Sequence, residues 1–303
     1  MTVSQLDMAA GGPRVSRLVQ GLWRLAAWDL DDAGLLDLIH TCLDLGITTF
    51  DHADIYGDYT CQQIFGRALT LEPALRQRMQ LVTKCGIKLL SDRRPRHWIK
   101  HYDTGRDHIL SSVEDSLRAL RTDYVDLLLI HRPDPLLDPD EVASAFANLK
   151  QAGKVRFFGV SNFTPSQFDL LASRLDVPLV TNQVEVSVMH LDTLHDGTLD
   201  QCLRLGLAPM AWSPLGGGRL FHSQDGAALR LRQALEDVAR ELGGAAIDQV
   251  ALAWLLRHPA RILPILGTGK LERIRRAARA GDLQLSRQQW FAIWAASAGH
   301  DVP

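Results

Sequence analysis

From residue 18 onward, short runs of apolar and β-branched residues alternate with stretches whose apolar positions recur at helical spacing. The strand-like runs fall at 18–22, 48–51, 81–84, 125–131, 155–161, 179–185, 208–213 and 262–267, eight in all. Between them the pattern predicts helices over 33–45, 107–120, 139–151, 165–175 and 247–257, long enough for right-handed crossovers between parallel strands. Several carry their own punctuation. Thr164, Pro165 and Gln167 supply an N-cap, a first-turn proline and a capping-box partner, and Gly46, Gly153 and Gly206 mark helix ends.

Eight β/α units predict a closed (β/α)8 TIM barrel, with an N-terminal β-hairpin over the barrel floor and an extra C-terminal helix and tail. An open doubly wound sheet is the rival, because alternation alone does not show closure. That fold advertises a GxGxxG fingerprint after its first strand, where this chain has Gly21-Leu22-Trp23. No Pro, Gly or Ser-rich linker divides the chain, so residues 1–303 read as one domain.

Composition narrows the function classes. The 303 residues are 46% hydrophobic and 22% charged, with 33 basic against 35 acidic residues, a balance that gives no electrostatic footprint for nucleic acid. No apolar run approaches the roughly 18 residues of a membrane span, and the N-terminus lacks a basic region followed by an apolar core. Cys42, Cys61, Cys85 and Cys202 form no CxxC pair or zinc spacing, which suits reduced thiols in a cytoplasmic protein. His97 and His101 have helical i, i+4 spacing, but their neighbourhood is basic and offers no carboxylate ligand, so no metal is expected.

Chemistry concentrates at the C-terminal ends of the strands, the functional face of a barrel. The second strand ends in Asp51 with Tyr56 on the following loop, the third in Lys84 and the fourth in His131. Strand parity puts Thr49 and Asp51, Val82 and Lys84, and Leu129 and His131 on matching faces. Any one of these side chains alone is equally a solvated strand-end group. Four on consecutive strands point to a site, because an unpaired buried Lys or Asp is costly. An ammonium held by a carboxylate beside a phenol stabilises phenolate, which would lower the Tyr56 pKa from its ordinary value of about 10.

The blocks TFDHADIYG, VTKCG, LLIHRPD, GKVRFFGVSNF, TNQVE, AWSPLGGG and PILGTGKLERI, in this order, resemble the aldo-keto reductase superfamily, and within it the bacterial YdhF-like oxidoreductases most closely. The resemblance spans residues 15 to about 280 and implies a nicotinamide-dependent carbonyl reductase. By that resemblance Asp51, Tyr56, Lys84 and His131 stand at the catalytic tetrad, with Tyr56 as general acid in hydride transfer to an aldehyde or ketone. His131, where steroid double-bond reductases carry Glu, favours carbonyl over ene reduction. Trp23, Tyr56, His131 and Arg132 are the expected substrate-binding residues, with Trp28, His52 and the loop 133–139 as further lining and Trp98 and Tyr102 as possible contacts.

The same resemblance assigns the cofactor. Ser161, Asn162 and Gln183 would bind the carboxamide, Trp212 would stack on the nicotinamide, and Gly21, Trp23 and Asp51 would lie beside it. The loop Ser213, Pro214, Leu215, Gly217, Gly218 and Arg219 would meet the pyrophosphate with backbone amides and local positive charge. Gly267, Thr268, Gly269, Lys270 and Arg273 open a helix whose N-terminus favours anions, with Arg273 and Thr268 at the 2'-phosphate positions, so NADP(H) is favoured over NAD(H). Arg276 and Ala277 depart from the Glu and Asn that many relatives use for adenine. An NADP-binding scaffold subunit and a lyase using Lys84 as a Schiff-base nucleophile are the alternatives, and oligomeric state and substrate are not readable from the chain.

Overall fold

In the computed structural model, which describes residues 2–303, the eight runs are strands: β1 (Val19–Gly21), β2 (Thr49–Asp51), β3 (Gln80–Cys85), β4 (Val125–Ile130), β5 (Val155–Ser161), β6 (Leu179–Glu185), β7 (Met210–Trp212) and β8 (Leu263–Leu266). Each pairs in parallel with the next. β8 returns to β1 through Ile265 opposite Val19 and Leu266 opposite Gln20, so the barrel closes and the open sheet is ruled out. Register then places the polar strand ends. Asp51 lies opposite Val82, two residues before Lys84, and Lys84 lies opposite Leu129, two residues before His131. Side chains two apart share a face, so Asp51, Lys84 and His131 step round one rim of the barrel.

The strands are buried on both faces and accordingly read as near-continuous apolar runs; β4, Val-Asp-Leu-Leu-Leu-Ile, is buried at every position. Its one charge, Asp126, is compensated at the opposite end of the barrel from the polar rim. It accepts from Arg76 at 2.8 Å, Arg156 at 3.1 Å and the Leu81 amide at 2.9 Å. The N-terminal hairpin, Gln5–Asp7 against Arg14–Ser16, seals that same end. Ser16 Oγ accepts from the Thr48 and Thr49 amides, both at 3.1 Å, and the amide of Ala208 donates to Met8 O at 2.8 Å.

Helix punctuation follows the sequence. Thr164 and Gln167 form the expected capping box at the start of Pro165–Ala172, and Gly206 ends Thr198–Leu205 in the left-handed conformation at φ 67°. The helix expected to run to residue 175 stops at Ala172. Arg174 and Leu175 make tighter bonds to Leu171 O and Ala172 O, and the approach to Pro178 disfavours further α-helix. The C-terminal helix, Arg287–Ala298, packs on Gly226–Glu241 and Ile247–Leu256. Trp290 stacks on Trp254 at 4.6 Å and 7°, and each indole N–H donates to the other residue's carbonyl. Trp290 and Trp294, at helical i, i+4 spacing on this helix, are thus packing residues. No described helix is long and apolar enough to cross a membrane.

Gly66, within Cys61–Leu71, sits against the end of Arg106–Leu120, where a Cβ would lie 2.0 Å from Ala119 O. Backbone cannot yield as a flexible side chain would. Gly66→Ala is expected to destabilise the fold by about 1–3 kcal/mol through overpacking, measured as a lowered urea midpoint; an unchanged midpoint would show that the helices can part without cost.

Candidate active site

Lys84 is the centre of the polar rim. Its side chain is fully buried, and its Nζ donates to Asp51 Oδ2 at 2.7 Å, His52 O at 2.7 Å and Tyr56 Oη at 2.9 Å. An ammonium carries three donors, and all three are used. Asp51 is held from its other side by Gln183 Nε2, 2.9 Å from Oδ1, so the carboxylate ties β2 to both β3 and β6. The loop after β2 brings Tyr56 back over Lys84. The Asp54 amide donates to Lys84 O at 3.1 Å, and Gly57, Asp58 and Tyr59 all have positive φ, of 58°, 52° and 64°. A Cβ at Gly57 would lie 2.6 Å from Cys61 Sγ and 2.8 Å from Ala26, so this tight reversal requires glycine. His131 completes the group, its ring edge-on to Tyr56 at 5.9 Å and 77°.

These side chains border a cavity of about 760 Å³ at the C-terminal mouth of the barrel, within the range of small-molecule sites. Its wall includes Gly21, Trp23, Asp51, Tyr56, His131, Arg132, Gln183 and Trp212, then Ser213, Pro214, Leu215, Gly217 and Gly218, and beyond β8 Gly267, Thr268 and Arg273. Six of the catalytic and cofactor-binding candidates stand apart from this wall. Lys84 lies behind Tyr56, where a Schiff-base nucleophile could not meet a ligand. Ser161 is buried with its hydroxyl donating to Gln183 O, and Asn162 links it to the wall, donating to Ser161 Oγ at 2.7 Å and accepting from Trp212 Nε1 at 2.9 Å. Gly269 is a packing position, since a Cβ there would lie 2.5 Å from the Trp28 ring. Arg219 and Lys270 are exposed outside the wall.

Three expectations about the lining are corrected. His52 is fully buried behind the site, edge-on to Phe65 at 4.6 Å; Trp28 packs on Gly269; and the loop 133–139 does not reach the wall. Tyr102 does line the cavity, while Trp98 is exposed elsewhere. His97 and His101 are not on a helix: His101 belongs to a two-residue ribbon strand, His101–Tyr102, paired with Ile87–Lys88. Sequence reasoning missed Arg24, Lys100, Phe221, His222 and Asp248, which also line the cavity. Lys100 rides on the ribbon arm and Asp248 on the first turn of Ile247–Leu256, positions with no signal in the local pattern.

Electrostatics depart from expectation at Tyr56. Burial and the nearby Asp51 charge push its pKa well above the ordinary phenol value, rather than lowering it. Tyr56 is therefore a neutral phenol that keeps its proton. Burial likewise drives Lys84 down while Asp51 holds it up. His131 is pushed well below the ordinary imidazole range by burial and by the charges of Lys84, Arg132 and Lys100, so its ring is neutral. Its Nδ1 is buried without a partner, which leaves Nε2 as the nitrogen able to donate into the cavity. Behind the site, burial and Lys84 hold His52 at about 3, and burial raises Asp54 to about 7. Asp54 accepts from Ser112 Oγ at 2.9 Å, and its Oδ1 has no partner.

The family model for the aldo/keto reductase family matches residues 17–298. The chain is 55% identical to Oxidoreductase YdhF of Escherichia coli, over 99% of this chain and 100% of that protein. It is 48% identical to a 6-dehydroglucose reductase of Agrobacterium fabrum, over 95% and 96% respectively. A solved structure of a thermostable aldo-keto reductase in complex with the inhibitor epalrestat superimposes with a TM-score of 0.82 at 29% identity, covering 97% of this chain and 99% of that one.

The buried Asp54 carboxyl gives a signed pH dependence. It ionises near 7 in the folded chain and near 4 when unfolded, so between these values the folded state holds the extra proton. Stability from this group therefore falls as pH rises through that window and levels off above it. Asp54→Asn should match the wild type near pH 4 and gain on it steadily towards pH 7 in thermal melts; a constant difference across the range would refute the assigned ionisation.

Proposed function

Because this chain belongs to the aldo/keto reductase family, we propose that it reduces an aldehyde or ketone to an alcohol, with NADP(H) as the hydride source and Tyr56 as the proton donor. The observation that carries this reading is the chain Asp51, Lys84, Tyr56, ending beside His131 at the cavity wall. When bound, the nicotinamide supplies the hydride that reduces the carbonyl carbon.

The residues along the cavity suit such a dinucleotide. Trp212 offers a flat indole braced by Asn162, and Gly216, Gly217 and Gly218 follow with φ of 60°, 65° and 100°. A Cβ at Gly217 would meet nothing within 4 Å, so its backbone is open to close approach. At the far end Arg273 makes no ion pair among the described residues, whereas Arg276 is held by Asp248 at 2.6 Å. A free guanidinium beside Thr268 supports the 2'-phosphate reading and hence NADP(H).

In the chemical step the Tyr56 phenol donates its proton to the carbonyl oxygen as the hydride arrives at carbon, which yields the alcohol and leaves phenolate. Lys84 is already hydrogen-bonded to that oxygen, so the developing charge is met without rearrangement. Asp51 keeps the ammonium in place and charged. His131, neutral and protonated on Nε2, donates to the same carbonyl oxygen and fixes its direction. Lys84 is thus a stabiliser of the product phenolate rather than a device that makes Tyr56 acidic beforehand. The A. fabrum relative is named a reductase, which supports reduction as the direction.

Tyr56→Phe should lower kcat by about 10²–10⁴-fold, the span of general acid catalysis, while NADPH still quenches protein fluorescence on binding. NADPH should bind more tightly than NADH, with the gap reduced in Arg273→Met. Full turnover by Tyr56→Phe would remove it as proton donor, and tight NADPH binding without oxidation by any of a broad carbonyl panel would favour a scaffold subunit.

A further inference from the structure

The part of the cavity beside Tyr56 and His131 carries positive charge without a counterion. Arg132 is half-buried, with its guanidinium 5.5 Å from the centre of the Trp212 ring, and among the described residues its one side-chain hydrogen bond is to His131 O at 3.3 Å. No carboxylate of the described residues pairs with it; Glu185 is near enough to be felt but makes no ion pair. Lys100, on the ribbon arm at the mouth, has no ion pair or side-chain hydrogen bond among the described residues, and its charge reaches His131. The two carboxylates on the cavity wall are both taken. Asp51 is held by Lys84 and Gln183, and Asp248 by Arg276.

These cations stand apart from the end of the cavity that suits the dinucleotide phosphates. Arg132 follows β4 and Arg273 follows β8, four strands away and so across the ring. A guanidinium drawn partly out of water without a partner is a cost that a bound anion offsets, and a planar fork matches a carboxylate or similar oxyanion in two hydrogen bonds. We propose that the carbonyl substrate bears an anionic group, bound by Arg132 with Lys100 at the mouth, while its carbonyl lies at Tyr56 and His131. This rests on the reductase reading above and names the substrate class of that site. Arg132 is then a specificity residue that binds the anion at the cavity wall beside His131.

The test is a set of aldehydes sharing one ring: 4-carboxybenzaldehyde and 4-sulfobenzaldehyde against neutral 4-methylbenzaldehyde, with NADPH at low salt. Anionic compounds should show kcat/KM at least about tenfold higher, chiefly through KM, as a charged hydrogen bond warrants. The preference should shrink with added salt, collapse in Arg132→Gln, and partly return in Arg132→Lys. The carboxylate and sulfonate arms show which oxyanion fits. Equal kcat/KM for all three compounds, or a ratio unchanged in Arg132→Gln, would overturn the charge proposal while leaving the reductase reading intact. Oxidation of NADPH by none of them nor by other carbonyls would sink both.

Discussion

A fully buried ammonium sets the terms for the rest of this site. Lys84 cannot remain in a dry barrel rim unless each of its three protons finds an oxygen, and the three it finds are Asp51, the His52 carbonyl and Tyr56. Satisfying it fixes the end of β2, the path of the following loop and the position of the phenol. Removing Asp51 would leave the ammonium without its counterion, and removing the Tyr56 hydroxyl would leave one of its protons without an acceptor, so the trio behaves as a unit. Gln183 carries the same constraint to β6, on the other side of the barrel from β2.

Most of the buried polar atoms without a partner among the described residues gather around that unit, the others being His108 Nε2 and Gln201 Oε1 on outer helices. Both nitrogens of His52, one oxygen of Asp54 and Nδ1 of His131 are buried without partners, and all three residues lie at or just behind the polar rim. At the floor, by contrast, both oxygens of Asp126 accept from nitrogen donors, Oδ2 from Arg76 and the Leu81 amide and Oδ1 from Arg156. The difference is directional. The floor is built to hold strands together, and the rim is built to keep neutral groups neutral beside one fixed cation. Burial makes Tyr56 a poor acid in the ground state, and the hydrogen bond from Lys84 becomes strong only as negative charge develops on the phenolic oxygen.

Much of this was legible in the chain because barrel strands impose simple parity. Asp51, Lys84 and His131 each end a strand-like run, and residues two apart share a face, so their convergence follows from adjacent parallel strands in register. Capping at Thr164 is similarly local, whereas the stacking of Trp290 on Trp254, 36 residues apart, is set only by tertiary packing. The direction of the Tyr56 shift is not legible in the chain: pairing with Lys84 argues for a lowered value, and burial together with the nearby Asp51 charge reverses it. His52 and Trp28 read as lining in the chain alone but stand off the wall, because His52 points to the opposite face from Asp51 and packs on Phe65, while Trp28 packs on Gly269. Lys100, Arg24 and Asp248 gave no signal, since each belongs to a loop or helix start whose distance from the cavity depends on how the connection folds back.

The sequence by itself determined the eight-unit alternation, the chemical identity of the groups at the strand ends and their common face, because these depend on periods of two and about 3.6 residues that are written along the chain. Tertiary structure alone decided that the sheet closes, that Lys84 is hidden while Tyr56 and His131 meet the cavity, and that Arg132 and Lys100 face it without counterions among the described residues. Closure, burial and charge balance are sums over residues distant in sequence. No local pattern contains them, and they are what bring three polar strand ends and a loop phenol into a site with a neutral phenol, a fixed buried cation and two further cations on the cavity wall.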